Sequence, residues 1–240
     1  MLPRMPSLNS LVDTYGTVLL IDSASTRIQV GLWQRENEAI WHQSDQEAGI
    51  AVFACAETVL AQARIDVADL GALVFCEGPG SILGIRTAAM ALRVWEAAEA
   101  RARPTFAYRS LELLARDLQT RATPAPFAVV ADARRESWHW VDGAADGSIG
   151  ALRRVPASDL AAFTGDVLMP AGFRTWARPL RPIATTDYAL SVLWLRQRDA
   201  DLLRPAPQPE AFFHEDVAYA TWTPRIHRAG EGASRNQPES

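Results

Sequence analysis

Apolar residues first run together at Thr17 to Asp22, T-V-L-L-I-D, which has the length and aliphatic density of a strand covered on both faces. Alternation over Arg27 to Trp33, carrying I-Q-V-G-L-W, predicts a second strand, and Ala39 to His42 a third. Three strands this close together in sequence imply an antiparallel meander. The pattern then changes period: Val52, Phe53, Ala56, Val59, Leu60 and Ala63 mark one face of a helix over Ala48 to Ile65. A fourth strand, Ala72 to Cys76, leads through a glycine turn into a helix reaching about Ala100, and a short fifth strand lies around Pro104 to Ala107. Residues 1 to 16 are expected to be a loose leader.

The second half restarts with a helix, Ser110 to Leu118, and a Thr/Pro/Ala spacer, Thr120 to Pro126. A strand over Phe127 to Asp132 then opens a hairpin, with a basic turn and a return strand that places Trp138 and Trp140 on one face. Beyond Gly147 the pattern predicts a short strand, a small helix near Ser158 to Phe163, a strand over Asp166 to Met169 and a helix at about Asp187 to Arg196. Residues 229 to 240 are polar and are expected to be a disordered tail. The expected division is a leader at 1–16, an N-terminal lobe at 17–108, a C-terminal lobe at 109–228 and the tail.

The turn before the long helix reads G-P-G-S. Gly78 and Gly80 supply backbone freedom, Pro79 sets one φ angle, and Ser81 is placed to cap the orphan amides of the helix. Gly84 sits inside the first turns of that helix, where glycine costs about 1 kcal/mol against alanine. Its presence there points to close approach by another backbone. The helix carries two apolar stripes: Ile85, Ala89, Leu92 and Trp95 on one, Met90, Val94, Ala97 and Ala98 on the other. Covering a sheet needs one stripe; the second is either buried in the same domain or open to a partner.

Composition narrows the chemistry. Hydrophobic residues make up 48% of the chain and charged residues 22%, the values of an ordinary soluble protein. A net charge of −4 gives no global pull toward nucleic acid or anionic membrane. All 24 basic residues are arginine, so mechanisms built on a P-loop, Schiff-base or kinase-type lysine are excluded. Cys55 and Cys76 lie in apolar settings without C-x-x-C spacing and read as buried thiols of a cytoplasmic protein. No apolar run approaches a membrane span, and the N-terminus lacks signal-peptide character. The four histidines are scattered, which excludes a helical metal pair, and no G-x-S-x-G marks a hydrolase. Arg134 and Arg135 in the hairpin turn suit phosphate or carboxylate, or form a solvated turn; Arg153 and Arg154 present the same two readings.

The segment G-P-G-S-I-L-G-I-R, Gly78 to Arg86, resembles the G-P-G-S-F-T-G-L-R signature of the TsaB (YeaZ) family of bacterial tRNA threonylcarbamoyladenosine biosynthesis. S-L-E-L-L-A, from Ser110, and the stretch through Asp132, Arg134 and Arg135 resemble two further family elements, S-L-E-A-L-A and D-A-R-R-x-E-V-Y. The match departs at Ile82, Leu83, Ile85 and Thr87-Ala88 and thins after residue 140. There the family's closing P-x-Y-L-R has only the echo P-E-A-F-F-H, Pro209 to His214.

The resemblance implies an α/β, actin-like ATPase (sugar kinase/Hsp70-like) fold: two ribonuclease-H-like lobes with mixed five-stranded sheets, the second lobe reduced. It implies a non-catalytic partner of TsaD in threonylcarbamoyl transfer to the tRNA adenosine next to the anticodon. Docking would use the N-lobe helices, through Gly84, Ile85, Met90, Val94 and Ala97. A TsaE-like ATPase and tRNA would join through the complex, and ATP or ADP would enter there; no cofactor is expected on this chain by itself. TsaD carries an H-x-x-x-H metal motif on the helix corresponding to Ala48–Ile65, which holds no histidine here. Asp22 and Ser23 stand where ATPases of this fold have D-x-G-x-T, but Ala24 replaces the glycine that admits phosphate, so the nucleotide loop reads as degenerate. Two alternatives stay open: an active nucleotide-binding acyl- or phosphoryl-transfer enzyme of the same fold, and a homodimer pairing through the same helix face.

Overall fold

The computed structural model describes residues 5–35, 37–99 and 102–212. Its first sheet is built on β1 (Thr17–Asp22), which pairs antiparallel with β2 (Ile28–Gln34) and parallel with β4 (Ala72–Gly78). β3 (Asn37–Ser44) extends the meander at one edge and β5 (Thr105–Arg109) adds parallel to β4 at the other. Because β1 lies in the middle of the sheet, its alternate residues feed two cores. Leu19 and Ile21 meet α2 (Ala48–Ala63) and α3 (Ile82–Glu99), while Val18 and Leu20 face the opposite layer. This explains the unbroken apolar run.

The opposite layer contains α4 (Ser110–Thr120), whose Leu111, Leu113, Leu114, Ala115 and Leu118 are all buried. α4 packs on β4 and β5 of the first sheet and also on β6 (Phe127–Asp132) and β7 (Ser137–Gly143) of the second. One helix thus joins the two lobes into a single core, which Trp194 of α6 (Leu190–Gln197) completes. The second sheet is also mixed. β8 (Arg153–Pro156) and β7 lie on one side of β6, with β9 (Asp166–Pro170) and β10 (Ala184–Thr186) parallel on the other. α5 (Ala157–Ala162) follows β8, and Trp138 and Trp140 share the inward face of β7 as expected.

Three expectations are corrected. The leader is not loose: α1 (Leu8–Tyr15) buries Leu8, Leu11 and Val12 at helical spacing, and the Ser7 side chain accepts the Ser10 amide at its start. Asn9 N–H donates to the Arg198 carbonyl, so this helix is tied to the residue that follows Leu190–Gln197. Among the described residues the first sheet has six strands, because β11 (Arg204–Pro205) pairs antiparallel with β5. Consequently residues 204–212 lie along the first lobe: Ala206 N–H donates to Thr105 O at 2.8 Å and Phe212 N–H to Glu77 O at 2.7 Å. Burial on an existing edge outweighs their position in the chain. The expected tail at 229–240 lies outside the described residues.

Candidate functional site

The G-P-G-S turn is pressed against the turn that follows β1. Ser81 N–H donates to Ala24 O at 2.7 Å, and the Ser81 hydroxyl accepts the Gly84 amide at 3.3 Å, the cap its position predicted. Gly80 has φ +154°, and a Cβ there would lie 2.4 Å from the Ala24 carbonyl oxygen. A Cβ on Gly84 would meet the Ser23 carbonyl oxygen at 2.2 Å. The second backbone anticipated at Gly84 is therefore the chain's own D-S-A-S loop. From the other side Ser110 Oγ donates to the Pro79 carbonyl at 2.6 Å.

Asp22 is wholly buried and accepts hydrogen bonds from an amide and two phenols, with the Cys76 thiol also bonded to it. The Ala24 amide donates to Oδ1 at 2.8 Å, and the hydroxyls of Tyr108 and Tyr188 donate to Oδ2 at 2.6 and 2.8 Å. Tyr108 lies in β5 of the first sheet, and Tyr188 precedes α6, so one carboxyl ties both lobes. Gln29 repeats the tie: its Nε2 donates to Tyr188 O and its Oε1 accepts the Leu190 amide, each at 2.9 Å. Neither tyrosine nor Gln29 stood out in the sequence; the only signal was a glutamine among the apolar residues of β2. The cleft beside this clamp, lined by Ser25, Arg27, Asp45, Asp187 and Tyr188 among others, measures about 140 Å³, small against the ~300–1,000 Å³ of typical ligand sites. Ser23 is buried alongside, with its carbonyl against Gly84.

Burial pushes the Asp22 carboxyl above its ordinary range, and the bonds from Tyr108, Ala24 and Tyr188 reverse this only in part. Burial also pushes both phenols well up, with the Asp22 charge adding to it, so they remain donors. Because folding raises this carboxyl's pKa, its stabilising contribution is complete below about pH 4 and is lost as pH rises through the folded value. Relative to Asp22→Asn, the wild type is therefore expected to lose unfolding free energy as pH rises from about 4 toward neutrality. Urea titrations of both proteins across that range check it; parallel pH profiles would remove Asp22 as the titrating group.

The long helix divides as its stripes foretold. Ile85, Ala89 and Leu92 are buried against the sheet, whereas Leu83 is 77%, Met90 55% and Val94 48% exposed, with Ala97 and Ala98 also outward. Ile50 on the adjoining α2 is 62% exposed. Of the five residues expected on a partner surface, Met90, Val94 and Ala97 face solvent. Gly84 and Ile85 do not: the tight approach to Ser23 turns that side of the first helical turns inward. Arg86 is exposed on the same helix.

Asp132 ends β6 and gathers two loops. Its Oδ1 accepts the Arg134 amide at 2.7 Å; its Oδ2 accepts the Trp176 and Ala177 amides at 2.6 and 2.8 Å and the Thr175 hydroxyl at 3.1 Å. Burial raises this carboxyl, but the amides of Ala177, Trp176 and Arg134 and the Thr175 hydroxyl together outweigh it and hold the pKa below the usual range. Arg134 and Arg135 are exposed in the turn. Trp176, which the sequence did not single out, lies beneath the Arg134 guanidinium. Among the described residues no group of three or more acidic, histidine or cysteine side chains is arranged to hold a metal, and no helix is long and apolar enough to cross a membrane.

Residues 50–161 match the family TsaD, tRNA N6-adenosine threonylcarbamoyltransferase. YeaZ from Pseudomonas aeruginosa shares the fold with a TM-score of 0.57 at 21% identity, over 82% of this chain and 99% of that one. A further solved protein, similar to peptidase YeaZ from Pseudomonas aeruginosa, gives a TM-score of 0.57 at 20% identity with the same coverage. No curated protein matches the chain. The resemblance to TsaB (YeaZ) read from the G-P-G-S segment stands, and the α/β fold with two mixed sheets that it implied is the one observed.

Proposed function

We propose that this chain, of the TsaB (YeaZ) type, is a non-catalytic partner of a TsaD-like protein in threonylcarbamoyl transfer to the tRNA adenosine next to the anticodon. The observation that carries the reading is the outward apolar row of α3, Leu83, Met90 and Val94, beside Ile50 of α2. Isolated exposed apolar side chains are ordinary, but a row along one helix, with a further exposed apolar residue on the helix packed against it, is a surface suited to a second pair of helices. The match over residues 50–161 takes in most of α2 and all of α3 and supports a TsaD-like protein as the source of that pair. A TsaE-like ATPase and tRNA join through the assembled complex, and in the absence of TsaD the same face serves a homodimer.

The state of the D-S-A-S loop supports an absence of chemistry on this chain. A catalytic carboxylate must reach metal, water or substrate, whereas Asp22 is enclosed by Tyr108, Tyr188 and its own loop. The competing reading, a nucleotide-using transferase, requires ATP turnover by the isolated chain that Asp22→Asn abolishes.

Co-expression with TsaD from the same organism tests the proposal. A one-to-one complex recovered by size-exclusion chromatography is the expected result. Failure to associate at any salt or nucleotide condition, with both proteins folded, would reduce the resemblance to ancestry.

A further inference from the structure

We propose that the surface formed by the 132–137 turn and the 172–178 loop is an RNA contact that stacks an unpaired base on the Arg134–Trp176 pair and holds the adjoining phosphates with arginines. The inference rests on the reading of this chain as part of an RNA-modifying assembly, and assigns the contact to the second lobe.

Trp176 is 58% exposed, with the Arg134 guanidinium carbon 3.3 Å from its ring centroid. The pair is held from below, since Asp132 bonds to the backbone of both loops. The turn is also built against local preference. Arg134, Arg135 and Glu136 all have positive φ, at 63°, 49° and 54°, a region that L side chains disfavour. Compensating bonds hold it: Ser137 Oγ donates to Arg134 O at 2.6 Å, and Arg154 Nε donates to Ser137 Oγ at 2.7 Å.

Charge on this surface runs against the chain's net −4. Arg134, Arg135 and Arg154 cluster at the turn, and Arg174 and Arg178 are exposed two residues either side of Trp176. Against them stand Glu136 in the turn and Asp159 of α5, whose first residue donates its amide to Glu136 O. Asp132 is already occupied by four donors. A flat, rigid indole–guanidinium stack offers a π surface to a nucleobase, and guanidinium groups pair with phosphate oxygens. Stacking and phosphate pairing do not depend on base identity, so the surface should favour single strands over duplex with little sequence preference.

The test uses the isolated full chain and fluorescein-labelled RNA, read by anisotropy at low salt. A 12-nucleotide oligo-U should bind more tightly than a duplex of equal length, and poly-glutamate should compete poorly. Trp176→Ala should weaken binding about tenfold, with Trp176→Phe restoring most of it. Arg135→Gln should flatten the log–log salt slope by about 0.7. Arg64→Gln, removing one charge from the first lobe, should change neither, and melting temperatures should be preserved because the altered side chains are exposed. No anisotropy change, equal binding by Trp176→Ala, or poly-glutamate competing as well as oligo-U overturns the proposal. Since TsaD is absent, these outcomes are independent of co-purification: a complex that forms while the isolated chain ignores RNA removes this surface alone.

Discussion

Met90→Arg is expected to abolish association with a TsaD-like partner while leaving this chain folded. Met90 is 55% exposed, so a long charged side chain can extend into water in the free protein without disturbing the sheet-facing residues Ile85, Ala89 and Leu92. Methionine and arginine also have nearly equal helix propensity, and the melting temperature should move by no more than about 2 °C. In a closed helix–helix interface the same guanidinium is stripped of water with no carboxylate assigned to it, a penalty of several kcal/mol. The dissociation constant should therefore rise at least about 100-fold. Calorimetric titration of wild type and variant against purified TsaD measures it. An unchanged constant with an intact fold would move the contact off this face.

Gly84→Ala acts in the opposite sense, damaging the fold first and pairing as a consequence. The added methyl would stand 2.2 Å from the Ser23 carbonyl oxygen, and neither neighbour is a flexible side-chain end that can swing away. The start of α3 must lift from the D-S-A-S loop, straining the Ser81 N–H to Ala24 O bond and the packing of buried Ile85. Better helix propensity returns about 1 kcal/mol, while overpacking against backbone costs up to about 3 kcal/mol or more. A net loss of about 2 kcal/mol lowers the melting temperature of a chain this size by about 4–8 °C. Urea unfolding and differential scanning calorimetry report it. Stability equal to wild type would mean that the close approach is relieved at little cost.

The fold was legible wherever burial imposed a period. β1 and β6 were read at the residues they occupy because apolar runs ended sharply at Asp22 and Asp132. The two stripes of α3 separated into a buried and an exposed face as their spacing required. α1 was missed although Leu8, Leu11 and Val12 carry the helical interval, because two turns are marginal until a neighbouring surface buries them. β11 was invisible for a stronger reason: two residues, Arg204 and Pro205, become a strand only because β5 offers an unpaired edge.

The same division separates the parts of the site. The chain's local chemistry is contained in its residues: no lysine, no histidine pair, an alanine in place of the phosphate-admitting glycine, and a turn rich in glycine before a helix with too many apolar faces. Each is a property of neighbours within a turn or two, where bond geometry and side-chain type suffice. What Asp22 does depends on Tyr108 and Tyr188, and the presentation of Arg134 depends on Trp176, residues separated in sequence from what they touch by 86, 166 and 42 positions. Such meetings depend on α4 joining two sheets into one core and on loops converging at strand ends. They follow from the packing of whole elements, which no local pattern encodes.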